Sequence, residues 1–274
     1  MKNIRFSQKQ KLTSYRKIAI SSWKHPRDPS TYAMLDLPTS AAKEFISQYD
    51  SEIPITMTHL VAKTLGHCLE KFPELNHVLR LGNLHKRETI DAFITTLIKG
   101  EDGKDLSGFP IMDVNNKSIE EVAQISKEKV DDLRYNRDED NLKIQKFVNP
   151  LSVYLIKPLL RIREFFNYTL NMSFGMKDAF GSVMISNVGA LGIENAYIPL
   201  SPYSRCPLIV GIGKPRKIPI VQGDEVGIAE SVIISFTIDH RYADGAHCAS
   251  IIRRFKKIFS NPAAYKHLFA SDDK

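Results

Sequence analysis

Near the end of the chain a histidine and an aspartate stand four residues apart, with a glycine directly behind the aspartate, in the stretch Ser235-Phe-Thr-Ile-Asp-His-Arg-Tyr-Ala-Asp-Gly-Ala-His247. An imidazole titrates near neutrality, so His240 suits a general base provided that the backbone beneath it is rigid. Asp244 could complete a Ser-His-Asp triad, but no serine of the chain sits in a nucleophile-elbow sequence. His240, Asp244 and His247 also have the i, i+4, i+7 spacing of a metal site on one helix face. Gly245, and the strand character of the residues before His240, break such a helix, and no metal is expected. Gly211-Ile-Gly213-Lys214 lacks the full Gly-x-x-x-x-Gly-Lys-Ser/Thr pattern and reads as a strand end.

The rigid support is written in the alternation upstream. Val232, Ile234, Phe236 and Ile238 are apolar at every second position. They predict a strand whose covered face also receives His240, while Ser231, Ser235, Thr237 and Asp239 take the other face. Gly245 then permits the turn into a helix carrying Ala246, Ala249 and Ile252. Earlier in the chain, residues 31–37 read as a strand stopped by Pro38, with Thr39 capping a helix that runs to Tyr49. Val61, Leu65, Cys68, Leu69 and Phe72 mark a helix over 58–72, closed by Pro73. A strand is expected over 90–98, and Ser118-x-x-Glu121 is a capping box that opens another helix. Residues 182–187 read as a further strand.

Strands and helices are mixed, so the expected class is α+β, a mixed β-sheet flanked by helices. Residues 1–29 form an arm with a short helix over 10–23, where Trp23 packs. One domain covers 30–262, with a helical insertion about 142–176, and 263–274 is a tail. The insertion is apolar and basic and splits near Pro158. Extra core or oligomer packing is its simplest account; a lid, an acceptor-site wall, or a surface for membrane or partner are the others.

The net charge of +7 is spread along the chain and would draw an anionic substrate. The cluster Arg253-Arg254-Phe255-Lys256-Lys257 falls on a helix and reads as a solvated face; with no recognition motif, nucleic acid is not an expected partner. Cys68, Cys206 and Cys248 lack paired spacing, which suits a reducing cytosol, so a cytoplasmic protein without disulfides is expected. The first residues have no apolar core of a signal peptide. No window approaches the roughly 18 uninterrupted apolar residues of a transmembrane segment. His59, His67 and His77, on or near the core helix, read as satisfied structural histidines.

The pattern His-x-x-x-Asp-Gly after an apolar strand resembles the active-site motif of the dihydrolipoamide acyltransferases, the catalytic cores of 2-oxoacid dehydrogenase complexes. Gly181-Ser-Val-Met-Ile-Ser-Asn-Val-Gly-Ala-Leu-Gly192 is similar to the glycine-bounded Ile-Ser-Asn strand of that family. Ser201-Pro-Tyr-Ser-Arg-Cys-Pro-Leu-Ile-Val-Gly-Ile-Gly213 resembles the strand that comes next in the family, and Phe72-Pro-Glu-Leu-Asn76 the family's Phe-Pro-x-x-Asn. The order of elements agrees from about residue 16 to 259. The resemblance implies a chloramphenicol-acetyltransferase-like fold and transfer of an acyl group from a thioester to a thiol or other nucleophile without an acyl-enzyme.

On the same ground His240 is the base and Ser186 the oxyanion donor. Ser186 bonding only the backbone at a strand end is the alternative. Asp244 is a structural ion-pair partner, with Arg16 as its mate and Arg241 as the rival, and Gly245 belongs to the same turn. Asn187, Thr237 and Asp239 are candidate substrate contacts, although Asn187 and Gly189 read as turn-formers rather than catalysts. The family's unit is a homotrimer with sites between subunits. Coenzyme A or acyl-coenzyme A is then a substrate, with no cofactor bound permanently. No lipoyl domain or swinging linker precedes the domain, so no lipoate is expected on this chain. A stand-alone acyltransferase is the leading expectation. The alternatives are a complex core served by a lipoyl-bearing partner, and a non-catalytic trimeric scaffold.

Overall fold

The computed structural model describes residues 28–80, 83–100, 103–135, 154–155, 158–159, 162, 180–201 and 204–270. The expected arm helix and almost all of the insertion lie outside them. A seven-stranded mixed sheet forms the centre, ordered β1-β9-β7-β6-β4-β5, with β8 pairing only to β9. Its strands are β1 (Ser30–Pro38), β4 (Ala92–Gly100), β5 (Gly103–Ile111), β6 (Val183–Asn187), β7 (Leu208–Ile212), β8 (Arg216–Gln222) and β9 (Glu225–Asp239). The pairs β4/β6 and β6/β7 are parallel; the remaining pairs are antiparallel. A separate hairpin joins β2 (His77–Arg80) to β3 (Asn83–Lys86).

The helices are α1 (Ser40–Ser47), α2 (Met57–Lys71), α3 (Ile119–Arg134) and α4 (Gly245–Ser260). One sheet face meets them. Ile94, Ile185, Val210, Ile234 and Phe236 enter the main core there with Leu65 and Leu69 of α2 and Ile251 and Phe255 of α4. Phe236 meets Phe255 edge-on, with ring centroids 5.3 Å apart. The other face carries a smaller apolar cluster of Met184, Cys206 and Ile209 with Phe93, Phe180, Ile198 and Leu200. The segment 196–200 is strapped across this face: Ser235 donates to the Ala196 carbonyl at 2.7 Å and Thr237 to the Ile198 carbonyl at 2.6 Å.

Local rules hold where their partners are close in sequence. The Ser118 hydroxyl accepts the Glu121 N–H at 3.1 Å, and Glu121 accepts the Ser118 N–H at 2.6 Å, so the expected capping box opens α3. Thr39 is different. Its side chain makes no cap on α1; it donates to the Glu230 carboxylate at 2.7 Å and ties the start of the helix to β9. The helix ends at Ser47, short of Tyr49, and Pro38 is the last residue of β1 rather than its stop. Within the expected tail, Pro262–Phe269 form two short 3-10 turns that meet at a kink at Tyr265, and Phe269 is fully buried against Phe45, with centroids 4.9 Å apart.

His59, His67 and His77 are all hydrogen-bonded. His59 accepts the Thr56 N–H at the start of α2, His67 meets the Leu268 carbonyl and Glu70, and His77 meets the Pro73 carbonyl. Burial lowers the His59 pKa to about 4. The three cysteines are free and buried, and burial pushes the Cys68 and Cys206 thiols up to about 12.

Candidate active site

β9 stops at Asp239 because an ion pair turns the chain there. The Asp239 carboxylate, almost fully buried, accepts the Arg241 backbone N–H at 3.0 Å and the Arg241 guanidinium at 2.6 to 3.1 Å. That charge-assisted fork folds the chain back on itself. Tyr242 adds a second anchor. It is buried, its N–H donates to the Asp239 carbonyl at 3.0 Å, and its hydroxyl accepts the Leu79 N–H at 2.8 Å. His240 between them donates its backbone N–H to the Pro29 carbonyl at 2.9 Å.

The imidazole itself is exposed, not covered as the alternation implied, since His240 is the first residue beyond the strand. Among the described residues it has no hydrogen-bond partner. The result is a fixed backbone under a solvent-facing ring.

Asp244 is the N-cap of α4. Its carboxylate accepts the N–H groups of Ala246 at 2.9 Å and His247 at 3.1 Å, and pairs with the His247 ring at 2.8 Å. The His247 backbone bond is the largest of the contacts that lower its pKa. Arg16, the expected ion-pair mate, lies outside the described residues; the rival pair with Arg241 is not formed, because Arg241 is drawn to Asp239. Gly245 is not forced by its backbone either. Its φ is not positive, and a Cβ there would meet nothing within 4 Å. The extended Asp244 backbone makes the turn.

Ser186 lies on β6, on the face away from the helices. Its hydroxyl accepts from the Thr95 hydroxyl of β4 at 2.9 Å. Gly181 precedes the strand with φ +61°, and a Cβ there would fall 2.4 Å from the Asp91 carbonyl oxygen. Asn187 closes the strand: its side-chain carbonyl oxygen caps Ala190 at 3.2 Å and its amide donates to Thr58 at 3.2 Å, which is turn-forming work. Thr237 and Asp239, expected as substrate contacts, are buried with their polar atoms committed to Ile198 and Arg241.

The register separates the two halves of the motif. Ser186 pairs with Gly211 and Gly211 with Ser235, five residues before His240. At roughly 3.3 Å per residue and 4.8 Å per strand, Ser186 and His240 of one chain are about 20 Å apart. The residues that the sequence left unmarked are Thr95 and Tyr242, while His247 figured there only in the metal spacing and not as the partner of Asp244. Thr95 sits in the recognised alternation of β4, and Tyr242 and His247 lie inside the motif itself, but their partners are set by folding.

No group of three His, Cys, Asp or Glu residues that could hold a metal ion occurs among the described residues. Nor is any described helix long and apolar enough to cross a membrane.

This sheet and its helices have the fold of a dihydrolipoamide acyltransferase core. The fold matches a probable dihydrolipoamide acetyltransferase from Listeria monocytogenes with a TM-score of 0.63, covering 98% of this chain and 97% of the other at 14% identity. It matches the cubic core of a pyruvate dehydrogenase multienzyme complex with a TM-score of 0.64, at 17% identity and 94% and 93% coverage.

In sequence, residues 165–266 match the family model of the 2-oxoacid dehydrogenases acyltransferase (catalytic domain). A dihydrolipoyllysine-residue acetyltransferase component of the pyruvate dehydrogenase complex of Rickettsia felis is 39% identical over 83 residues, 30% of this chain and 20% of the relative. The corresponding component of Acholeplasma laidlawii is 29% identical over 149 residues, 47% of this chain and 27% of the relative. The matches thus span only about a fifth to a quarter of these relatives.

Proposed function

We propose that this chain transfers an acyl group between a thioester and a thiol, with His240 as general base and Ser186 as oxyanion donor, in sites completed by a second copy of the chain. The observation that carries this reading is the strand register, which sets the two residues two strands and five residues apart. A solvent-facing imidazole on a fixed backbone and a strand-borne hydroxyl lie about 20 Å apart in one chain, so only juxtaposition with another copy unites them. A homotrimer closes such head-to-tail contacts without leaving an open end.

The surface supplies the means. The β8/β9 ribbon projects beyond the end of β1 with Val221, Val226 and Ile228 at least 74% exposed, and Tyr32, Met34 and Tyr197 expose a second apolar stripe. A two-stranded ribbon of that kind is not stable alone in water.

In the proposed reaction the acceptor thiol gives its proton to an imidazole nitrogen of His240 and attacks the thioester carbonyl. The Ser186 hydroxyl donates to the oxyanion of the tetrahedral intermediate. Collapse expels the second thiol as thiolate, which takes the proton back from the imidazolium, so no group stays on the enzyme. Asp244 supports the turn by capping α4. Coenzyme A and dihydrolipoamide are the proposed thiols, the latter borne by a lipoyl-bearing partner in the complex-bound form of the reading. The names of the relatives support that form. Crystallographic and enzymatic work on the Azotobacter vinelandii dihydrolipoamide acetyltransferase concerns the role of a serine, a histidine and an asparagine in its catalytic mechanism, which supports the choice of His240 and Ser186.

The test is thiol release from a panel of acyl-coenzyme A donors, with and without free dihydrolipoamide. His240→Ala is expected to lose on the order of a hundredfold to ten-thousandfold in kcat. Mixing His240→Ala with Ser186→Ala chains under conditions of subunit exchange should restore about a quarter of the sites, since each site draws one residue from each of two neighbours. No restoration in verified mixed oligomers would refute the shared site.

A further inference from the structure

We propose that Thr95 is the positioning residue that aims the Ser186 hydroxyl at the reaction centre; the inference rests on the proposed oxyanion role of Ser186. The two strands are parallel and in step, with Ala92, Phe93 and Ile94 opposite Val183, Met184 and Ile185. The next pair in that register is Thr95 and Ser186. Both side chains point to the face away from the helices, and Thr95 Oγ1 donates to Ser186 Oγ at 2.9 Å.

A serine hydroxyl has one proton and two lone pairs. With one lone pair taken by Thr95, the Ser186 proton is left for a substrate oxygen, and the hydroxyl cannot rotate freely. Negative charge developing on that oxygen pulls on the Ser186 proton and, through it, on the Thr95 hydroxyl. Each bond of such a chain polarises the next.

Thr95 is itself well fixed. Its β-branched side chain is stiff about χ1, and β4 lies inside the sheet between β6 and β5. Phe93, on the same face, packs on Phe180 with ring centroids 4.7 Å apart. Opposite Thr95, Gly108 gives up its side-chain space to Phe93, whose ring carbon would stand 2.4 Å from a Cβ at that position. The aromatic ring therefore fills the space over Gly108, directly beside Thr95 on the neighbouring strand.

The experiment is a double-mutant cycle on the acyl-transfer reaction with Thr95→Val, Thr95→Ser, Ser186→Ala and the combination of Thr95→Val with Ser186→Ala. Valine keeps the shape of threonine, so folding is preserved and is checked by the unfolding midpoint. Thr95→Val is expected to lower kcat by about tenfold, the size of one neutral hydrogen bond lost in the transition state, with KM unchanged. Thr95→Ser keeps the hydroxyl and should recover most of that loss. In the Ser186→Ala background, Thr95→Val should change kcat by less than about twofold, because its effect passes through Ser186.

Three outcomes overturn the inference. Thr95→Val could leave kcat intact, it could raise KM alone, or it could cost the same tenfold without Ser186. If instead Ser186→Ala itself leaves kcat intact, the oxyanion role falls and the Thr95 inference falls with it. The two failures are therefore told apart by the single Ser186 variant.

Discussion

On the helix side of the central sheet, β9 presents Val232, Ile234, Phe236 and Ile238 to α2 and α4, all with essentially no exposure. On the opposite side the same strand presents Ser235 and Thr237, just as deeply buried, and each hydroxyl is spent on a carbonyl of the strap that crosses it. Thr95 and Ser186 continue that second face on β4 and β6. The two faces thus bury similar backbone with different chemistry. The first gains its stability from apolar area removed from water, which is non-directional. The second combines a smaller apolar cluster with hydroxyls in defined directions, which add little net stability but fix where the polar atoms stand. A sheet built this way can lose stability on one side and lose geometry on the other.

That division predicts unequal effects. Phe236→Ala removes a ring that is fully buried and packed on Phe255 at 5.3 Å. The expected cost is the largest, about 3–5 kcal/mol, because transfer and cavity terms add. Urea denaturation should show it as a lower midpoint, while acyl transfer by the remaining folded protein stays within a few fold of wild type. Loss of turnover at conditions where Phe236→Ala is fully folded would break the division.

Acid should act on the helix side first. The hydroxyls of Thr95, Ser186, Ser235 and Thr237 do not titrate in this range, whereas His59 under the sheet has its pKa lowered to about 4 from 6.5 by burial. Between those values the unfolded chain holds the proton and the native chain does not. Stability from this residue is therefore complete above about pH 6.5, falls as pH drops toward 4, and levels off below, by up to ~3 kcal/mol in all. His67, also lowered chiefly by burial, acts in the same direction. A pH series of urea midpoints should be flatter for His59→Gln than for wild type; an unchanged slope would mean that His59 is not buried neutral.

Much of the helix side is legible in the chain because its signals are local or periodic. The apolar alternation of β9, the stripe of α2 and the three-residue capping box of Ser118 and Glu121 each need only near neighbours in sequence. The hydroxyl side depends on pairs that are far apart in the chain. Thr39 looks like a helix cap until its hydroxyl meets Glu230, 191 residues away, and Thr95 has no sequence signal for its bond to Ser186, 91 residues on. Period also fixes a face but not an end. The alternation assigned His240 to the covered side, yet the Asp239–Arg241 fork stops the strand one residue earlier and leaves the ring in solvent. The same limit left Arg241 as a rival mate for Asp244, since one arginine cannot be allotted between two nearby carboxylates from spacing alone.

The smallest effect should come from Thr237→Val, which changes no shape and only removes one tie of the strap. The variant leaves the Ile198 carbonyl without its hydroxyl partner in a buried setting, a cost of about 1–3 kcal/mol, while Ser235 still holds the Ala196 carbonyl. Ile198 packs against Met184, on the strand that carries Ser186, and Ile209, on the strand beside it, so a slackened strap reaches the candidate site through those contacts. Relative to its stability loss, Thr237→Val should therefore lower kcat more than Phe236→Ala does, and Thr237→Ser should restore both quantities. Measuring unfolding midpoints and kcat on the three variants puts each on one plot of activity against stability. Points on a single line would mean that both faces act only through global stability; a Thr237→Val point well below the line is the outcome the hydroxyl geometry requires.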